Sequence, residues 1–295
     1  IGEHALPGKM LVDLAARTFV ADAVVKYCSM LIDKKQDARL PSAICKVLAT
    51  EYLWNSLFDL QQIFAGRGYE TAESKRKRGE LGIAVERMVR DARINLIFEG
   101  TSEIMRLWIG REGMEEYKKR GEKIKPPKKL AAKNPPTLGD KAQAASWFAY
   151  QLTSQKLFSV FDFSSAETSL RNHATYIEKR AHKLALNVTK ACIKYQAGLE
   201  KRQLKVARIV NRAMELFAMS LAISYAERNK NKPLALELAD YYCWMIRNPE
   251  RNGDYQLDKE NDDKVEALAK RIMAGEAKWL EDGIISALEK EGVKL

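Results

Sequence analysis

The chain has few residues that break or brace a backbone. Of its 295 residues only 8 are proline and 16 glycine. That excludes collagen-like and low-complexity sequence. Strand-like alternation of Val, Ile, Thr and aromatic residues is nearly absent, which leaves a mostly helical protein. The four cysteines, Cys28, Cys45, Cys192 and Cys243, include no C-x-x-C pair, and each lies inside an apolar helical pattern. A disulfide scaffold is thereby excluded, and they read as small buried hydrophobes in a reducing compartment. The three histidines, His4, His173 and His182, lack metal-ligand spacing, so no metal site is expected. No Gly-x-Ser-x-Gly elbow or Walker loop is present. No apolar run reaches membrane-spanning length and none reads as a signal peptide.

Hydrophobic residues make up 46% of the chain, enough for a core, and the length suits one large or two small domains. The net charge is +11, an attraction to anions such as nucleic acid, acidic lipid or a phosphate-rich ligand. Nucleic acid is the poorest of these, because the basic residues are not interleaved with aromatics or set along one reading helix. The first residue is Ile1, just before an amphipathic run that has no cap. The sequence is therefore expected to be part of a longer chain, with the upstream portion of any active site outside it.

Helical spacing predicts a first helix over about 6–33, with Leu11, Leu14, Ala15, Phe19, Ala23, Tyr27 and Leu31 on one face. A polar turn at 34–38 precedes a second helix that starts near Pro41, a residue suited to a first turn. It stops at Ala65-Gly66-Arg67-Gly68. A polar, basic loop is expected over 70–81, around Lys75-Arg76-Lys77-Arg78, followed by a short helix over 83–97. Another helix begins at Thr101 or Ser102, either of which can cap it. Residues 115–136 hold eight Lys or Arg, three acidic residues and four prolines, a composition that reads as a linker. Beyond it, helices are expected at about 141–161, 165–199, 203–229, 234–247 and 261–290, with a loop over 248–254. The fold class is thus all-α, one helical bundle followed by another. The domains are drawn as 1–114, a basic linker at 115–140, and 141–295.

Two short stretches carry chemistry. In Phe98-Glu99-Gly100-Thr101 a carboxylate sits in a break between helices. Gly100 lets a ligand approach the backbone. Phe98 lowers the local polarity, and the helix N-terminus that follows favours the anion, so the two oppose each other. The stretch reads either as a general base or as a glutamate in a solvated turn. In Gln62 to Tyr69, glycines at a helix end admit backbone N–H groups to a phosphate, or simply stop the helix.

In combination these residues are more specific. Gln62, then Ala65-Gly66-Arg67-Gly68-Tyr69, then Arg90-Asp91-Ala92-Arg93-Ile94, then Phe98-Glu99-Gly100-Thr101-Ser102-Glu103-Ile104-Met105-Arg106 resemble the C-terminal domain of acyl-CoA dehydrogenases. The resemblance covers about residues 1–113. It implies an FAD-dependent enzyme that converts an acyl-CoA to its trans-2-enoyl-CoA. Glu99 matches the base that removes the α-proton. Gln62, Ile63, Phe64, Ala65 and Gly66 match the segment that touches the FAD diphosphate, usually that of a neighbouring subunit. Thr101, Ser102 and Glu103 match residues against FAD, and Gly100 and Arg111 match positions near the substrate. Ala65 departs from the family's usual glycine, which is tolerable unless that backbone needs positive φ. The 70–81 loop is longer than in short- and medium-chain members, and its basic run reads as a solvated loop or a contact for a coenzyme A phosphate.

The helical extension resembles that of the very-long-chain members, where it is linked to dimer assembly and membrane association. The resemblance therefore implies fatty acid β-oxidation of long chains, a homodimer and electron-transfer flavoprotein or a similar acceptor. It also implies a place in the bacterial cytoplasm or the mitochondrial matrix. The +5 carried by 115–136 invites a peripheral contact with acidic lipid, and the apolar face of 165–199 suits either a bundle or a membrane interface. A non-catalytic helical scaffold and an acyl-CoA oxidase are the alternatives. Glu99 and the Arg90-Asp91 pattern favour the enzyme over the scaffold, and the run Glu99-Gly100-Thr101-Ser102-Glu103-Ile104 resembles a dehydrogenase more than an oxidase.

Overall fold

A computed structural model describes residues 4–126, 135–153, 167–248 and 259–282. Every regular element among them is helical. In chain order these are α1 (Ala5–Asp33), α2 (Arg39–Phe64), α3 (Gly66–Tyr69), α4 (Ala72–Lys77), α5 (Val85–Arg93), α6 (Ser102–Gly113) and α7 (Glu115–Ile124). There follow α8 (Leu138–Thr153), α9 (Thr168–Tyr195), α10 (Gln203–Arg228), α11 (Ala235–Arg247) and α12 (Lys259–Met273), with 3₁₀ turns at Ile94–Leu96, Gln196–Leu199 and Lys278–Glu281. The expected outer ends of the helices near 161, 165 and 290, and most of the 248–254 loop, lie outside the described residues. None of the described helices is long and apolar enough to cross a membrane.

The chain forms two compact units that do not follow chain order. One comprises Ile1–Gln36, Cys45–Thr101 and Leu221–Leu295; the other comprises Asp37–Ile44 and Ser102–Ser220. The domain limits drawn above run with the sequence, whereas these units interleave.

In the first unit α1 packs against α11 and α12. Its inward face repeats at three and four residues: Val12, Ala16, Phe19, Val20, Ala23 and Val24 are all buried. Each of the larger side chains contributes about 1.5–3 kcal/mol by leaving water. Phe19 meets Tyr225 and Trp279 with ring centroids 5.0 and 6.2 Å away. Asp13 is buried in the same face. It is tolerated because Tyr241 Oη donates to it, Lys9 Nζ lies 3.0 Å away and Arg17 3.9 Å away. Arg17 also pairs with Asp59 of α2, and Tyr52 of α2 shares a hydrogen bond with Tyr242 of α11.

The second unit is built on α6 to α10. Its spine is the strip Val206, Val210, Met214 and Ala218 of α10, buried at every fourth residue. Gly110 of α6 faces that strip at the closest approach: a Cβ added there would lie 2.3 Å from Val206 Cγ1 and 3.2 Å from Val210 Cγ2. Arg106 Nε donates to Asn211 Oδ1 at 2.6 Å one turn further along.

One expectation is corrected here. The first part of the presumed linker is the helix α7, which is docked. Tyr117 packs on Trp147 at 5.0 Å, and the Arg120 guanidinium lies 4.9 Å over the Trp147 ring. Four of the strip's cations are matched: Lys119 to Glu115, Arg120 to Glu116, Lys118 to Glu200 and Lys123 to Asp140. Composition alone concealed this, because α7 contributes rings and i,i+4 ion pairs rather than an aliphatic stripe. Residues 127–134 lie outside the described set.

Gly110→Ala should lower stability by about 1–2 kcal/mol in urea unfolding, since overpacking outweighs the gain in helix propensity. Adding Val206→Ala should recover part of that loss; strict additivity of the two changes would rule out the contact as its cause.

Candidate functional site

Two helix breaks carry the residues singled out by sequence. The first separates α2 from α3. Gln62 is exposed, Ile63 and Phe64 are half-buried, and Ala65 and Gly66 are exposed. Ala65 has φ 49° and ψ −133°, a region that suits glycine. The alanine therefore stands at a position that does need positive φ, the one condition under which the departure from glycine carries a cost. Gly68 is required for a different reason: a Cβ there would lie 2.5 Å from Gln61 O.

The segment after this break is not a solvated loop. Thr71 caps α4 by accepting from Ser74 N at 3.3 Å. Lys75 is buried, with 2% of its surface exposed. Its ammonium donates to Arg67 O at 3.0 Å and also to Ile83 O. An ammonium so placed is not a surface contact for a coenzyme A phosphate. The other charges of the segment are matched: Arg67 to Glu80 at 2.7 Å, Lys77 to Glu73 at 2.8 Å, and Arg78 to Glu70. The hydrogen bonds from Arg78 and Ser74 hold the Glu70 carboxyl at about 2.

The second break lies between α5 and α6. Arg93 of α5 stands 5.5 Å over the Trp54 ring of α2, and Ala92 is buried, which docks the Arg90-Asp91-Ala92-Arg93 motif on α2. Arg90 and Asp91 themselves point outward and pair with Glu86 and Arg87 of their own helix. The chain then tightens through the Ile94–Leu96 turn, where Ile97 N and Phe98 N both donate to Ile94 O. Glu99 follows at φ 57° and Gly100 at φ 95°. Five described non-glycine residues have positive φ, and Ala65 and Glu99 are two of them. Lys46 of α2 donates to Gly100 O at 2.7 Å and fixes the turn. Glu99 and Phe98 are both exposed, so within this chain Phe98 does not shield the carboxylate.

Thr101 is half-buried and ends the first unit; α6 of the second unit carries Ser102, Glu103 and Arg111. Glu103 and Arg111 are exposed, and Arg111 lies 3.5 Å from Glu112. Ser102 is 5% exposed, and its Oγ is the one buried side-chain polar atom without a hydrogen-bond partner among the described residues. Such an atom fits a ligand that supplies the missing partner. The sequence offered Ser102 as a possible helix cap and by its place in the motif; its hydroxyl makes no capping hydrogen bond, and that isolation is visible in the structure alone.

Glu99 and Gly100 are thus held together with Lys46, and Gln62 to Gly66 are not with them. Lys46 and Gln62 are about 24 Å apart along α2 at 1.5 Å per residue. The lysine stem and the peptide linking Gly100 to Glu99 recover only part of that distance.

Residues 1–114 match the family model described as "Acyl-CoA dehydrogenase, C-terminal domain". A protein of Mycobacterium tuberculosis named probable acyl-CoA dehydrogenase FadE10 is 35% identical over 306 residues, spanning 99% of this chain and 46% of that protein. The chain belongs to the acyl-CoA dehydrogenase family. Within it, the human very long-chain specific acyl-CoA dehydrogenase of mitochondria is 26% identical over 238 residues, covering 76% of this chain and 33% of that protein. Acyl-CoA dehydrogenases similar to this chain therefore occur both in bacteria and in mitochondria. In fold the chain is similar to the crystal structure of an acyl-CoA dehydrogenase complexed with FAD from Bacillus anthracis. The TM-score is 0.61 at 21% identity, over 99% of this chain and 48% of that one. The chain spans about half the length, or less, of the dehydrogenases it matches.

Ala65→Gly should raise stability by about 1 kcal/mol in thermal unfolding, because relief of the strained φ exceeds the added chain entropy; an unchanged or lower midpoint would show that the alanine is unstrained. Lys75→Met should leave two carbonyls without their donor, at about 2–3 kcal/mol. Hydrogen exchange would then quicken over 66–84 and not elsewhere; uniform quickening would mean that Lys75 holds the whole unit rather than this segment.

Proposed function

We propose that this chain is the C-terminal part of an FAD-dependent acyl-CoA dehydrogenase that acts on long-chain acyl-CoA in fatty acid β-oxidation, with Glu99 as its base. The observation that carries the reading is the second helix break. A carboxylate stands exposed on a positive-φ residue, the following carbonyl is clamped by Lys46, and the surrounding motif is the one shared with the family. Fixing the backbone through Gly100 O fixes where the Glu99 carboxylate can reach without enclosing it. Glu99 Oε takes the α-proton of the thioester, and Gly100 leaves room for the acyl chain beside the backbone. Arg111 of α6 is assigned, from its place in the motif, as a group near the substrate.

FAD, when bound, supplies the acceptor for the hydride that leaves the β-carbon. Thr101, Ser102 and Glu103 would hold it, and the unpartnered Ser102 Oγ supports that assignment. Gln62, Ile63, Phe64, Ala65 and Gly66 would touch the diphosphate of a flavin. Their separation from Glu99 along α2 supports contact with the flavin of a second copy, which is the reason to expect a homodimer. The domain division follows from this: 1–114 for dehydrogenase chemistry, 115–140 for connection and 141–295 for the helical extension. Electron-transfer flavoprotein is the proposed acceptor. Contact with acidic lipid through 115–136 is the weakest element, since α7 spends four of its cations on ion pairs.

In the full-length, flavin-loaded protein Glu99→Gln should still bind a long-chain acyl-CoA. Its anaerobic flavin bleaching should slow by about 10³-fold or more. Bleaching at the unaltered rate would remove Glu99 from the role. Rapid oxygen consumption by the unaltered protein would point to an oxidase, and an intact protein that takes up no flavin would point to a scaffold.

A further inference from the structure

Two of the chain's basic clusters are matched locally. α4 and its flanks pair Arg67, Lys77 and Arg78, and α7 pairs Lys118, Lys119, Arg120 and Lys123. The face shared by α9 and α10 in the second unit is different. Two adjoining hollows of about 300 and 250 Å³, both open to solvent, lie there, with Asn187, Arg208 and Ile209 common to both. Lys190, Lys194 and Lys205 complete the first, and Arg180, Lys183 and Arg212 the second. No carboxylate lines either cavity. Arg212 pairs with Glu215 at 2.8 Å, while the other six cations have no ion pair with a described residue.

Geometry makes this a continuous groove with two basic rims. Arg180 to Lys194 spans about 21 Å of α9, and Lys205 to Arg212 about 10 Å of α10. The floor between the rims is apolar or neutral, through Leu184, Asn187 and Ile209. Tyr195 closes one end, with Arg202, Lys205 and Lys194 at 4.6, 5.3 and 5.5 Å from its ring centre. The hydrogen bond from Lys205, aided by the charges of Lys194 and Arg202, pulls the Tyr195 phenol below its ordinary range, a sign of strong positive potential at that end. Like charges gathered on one face repel one another and raise the local concentration of anions.

We propose that the α9–α10 groove binds a soluble, multiply phosphorylated anion. Six unmatched cations call for about three phosphate groups at −1.5 to −2 each. Lysines supply most of the charge, and a lysine serves phosphate as a point charge, whereas carboxylate recognition favours the arginine fork. The six unmatched cations are exposed and line hollows that are open to solvent, so a free anion can reach them from solution. None of the groove's residues is among those assigned to the dehydrogenase chemistry, and the proposal does not depend on that assignment.

Tripolyphosphate titrated calorimetrically into the full chain at low salt is the test. One saturable site is expected, weakening steeply as salt rises. Lys190→Ala with Arg208→Ala should weaken it at least tenfold, while Lys119→Ala with Arg120→Ala, which removes equal charge from α7, should leave it within twofold. Lys194→Gln, a single exposed change, should weaken it severalfold and serves if the double variant loses its helical circular dichroism. Absence of binding, several weak sites, or equal loss in the α7 control overturns the proposal. Retention on phosphatidylglycerol vesicles without binding of tripolyphosphate overturns it in favour of a lipid surface.

Discussion

A helix that stops leaves carbonyl oxygens without donors, and this chain meets that need with lysine at both of its chemically significant stops. Lys75 turns inward to Arg67 O and Ile83 O behind the break at Ala65, and Lys46 reaches Gly100 O behind the break at Glu99. An ammonium can donate to several acceptors at once, so a single side chain can hold an irregular backbone that no ladder supports. The positive φ at Ala65 and Glu99 persists because these clamps, and the close fit at Gly68, over-determine the local path. Without them neither segment would have a defined shape to present.

α2 links the two stops. It carries the clamp for one near its beginning and becomes the other at its end. A rigid rod is therefore interposed between the proposed base and the segment proposed for a flavin diphosphate. Elements fixed to one rod cannot close on each other by local movement. A complete site built from both kinds of element is most simply reached between copies of the chain, each giving a different end of its α2.

Much of the fold was legible in sequence because apolar spacing declares a helix. α1, α2 and α10 begin and end within about two residues of where their patterns and breakers place them. The motif residues were legible for another reason: their order and spacing are specific. What the pattern could not give was charge that folds inward. Lys75 sits in a run of four basic residues, and nothing local marks it as the one that is buried. α7 was missed because ion pairs and two aromatic contacts, rather than an aliphatic stripe, hold it. The unpartnered Ser102 hydroxyl is likewise a property of surroundings, which one-dimensional spacing does not encode. Nor does an amphipathic face name its partner, so the interleaving of the two units lay beyond the sequence.

That interleaving has a consequence for how the molecule comes into being. Tyr241 and Asp13 are 228 positions apart in the chain, and the inward face of α1 is covered by α11 and α12. On a ribosome α1 would emerge with Val12, Phe19 and Val20 exposed, and would wait until nearly all of this sequence had been made before its cover arrived. Helical proteins usually owe quick folding to contacts between near neighbours. Here α1 depends on helices far downstream of it, so the nascent chain would carry a sticky apolar face while the intervening sequence is made, a period in which chaperones have something to hold.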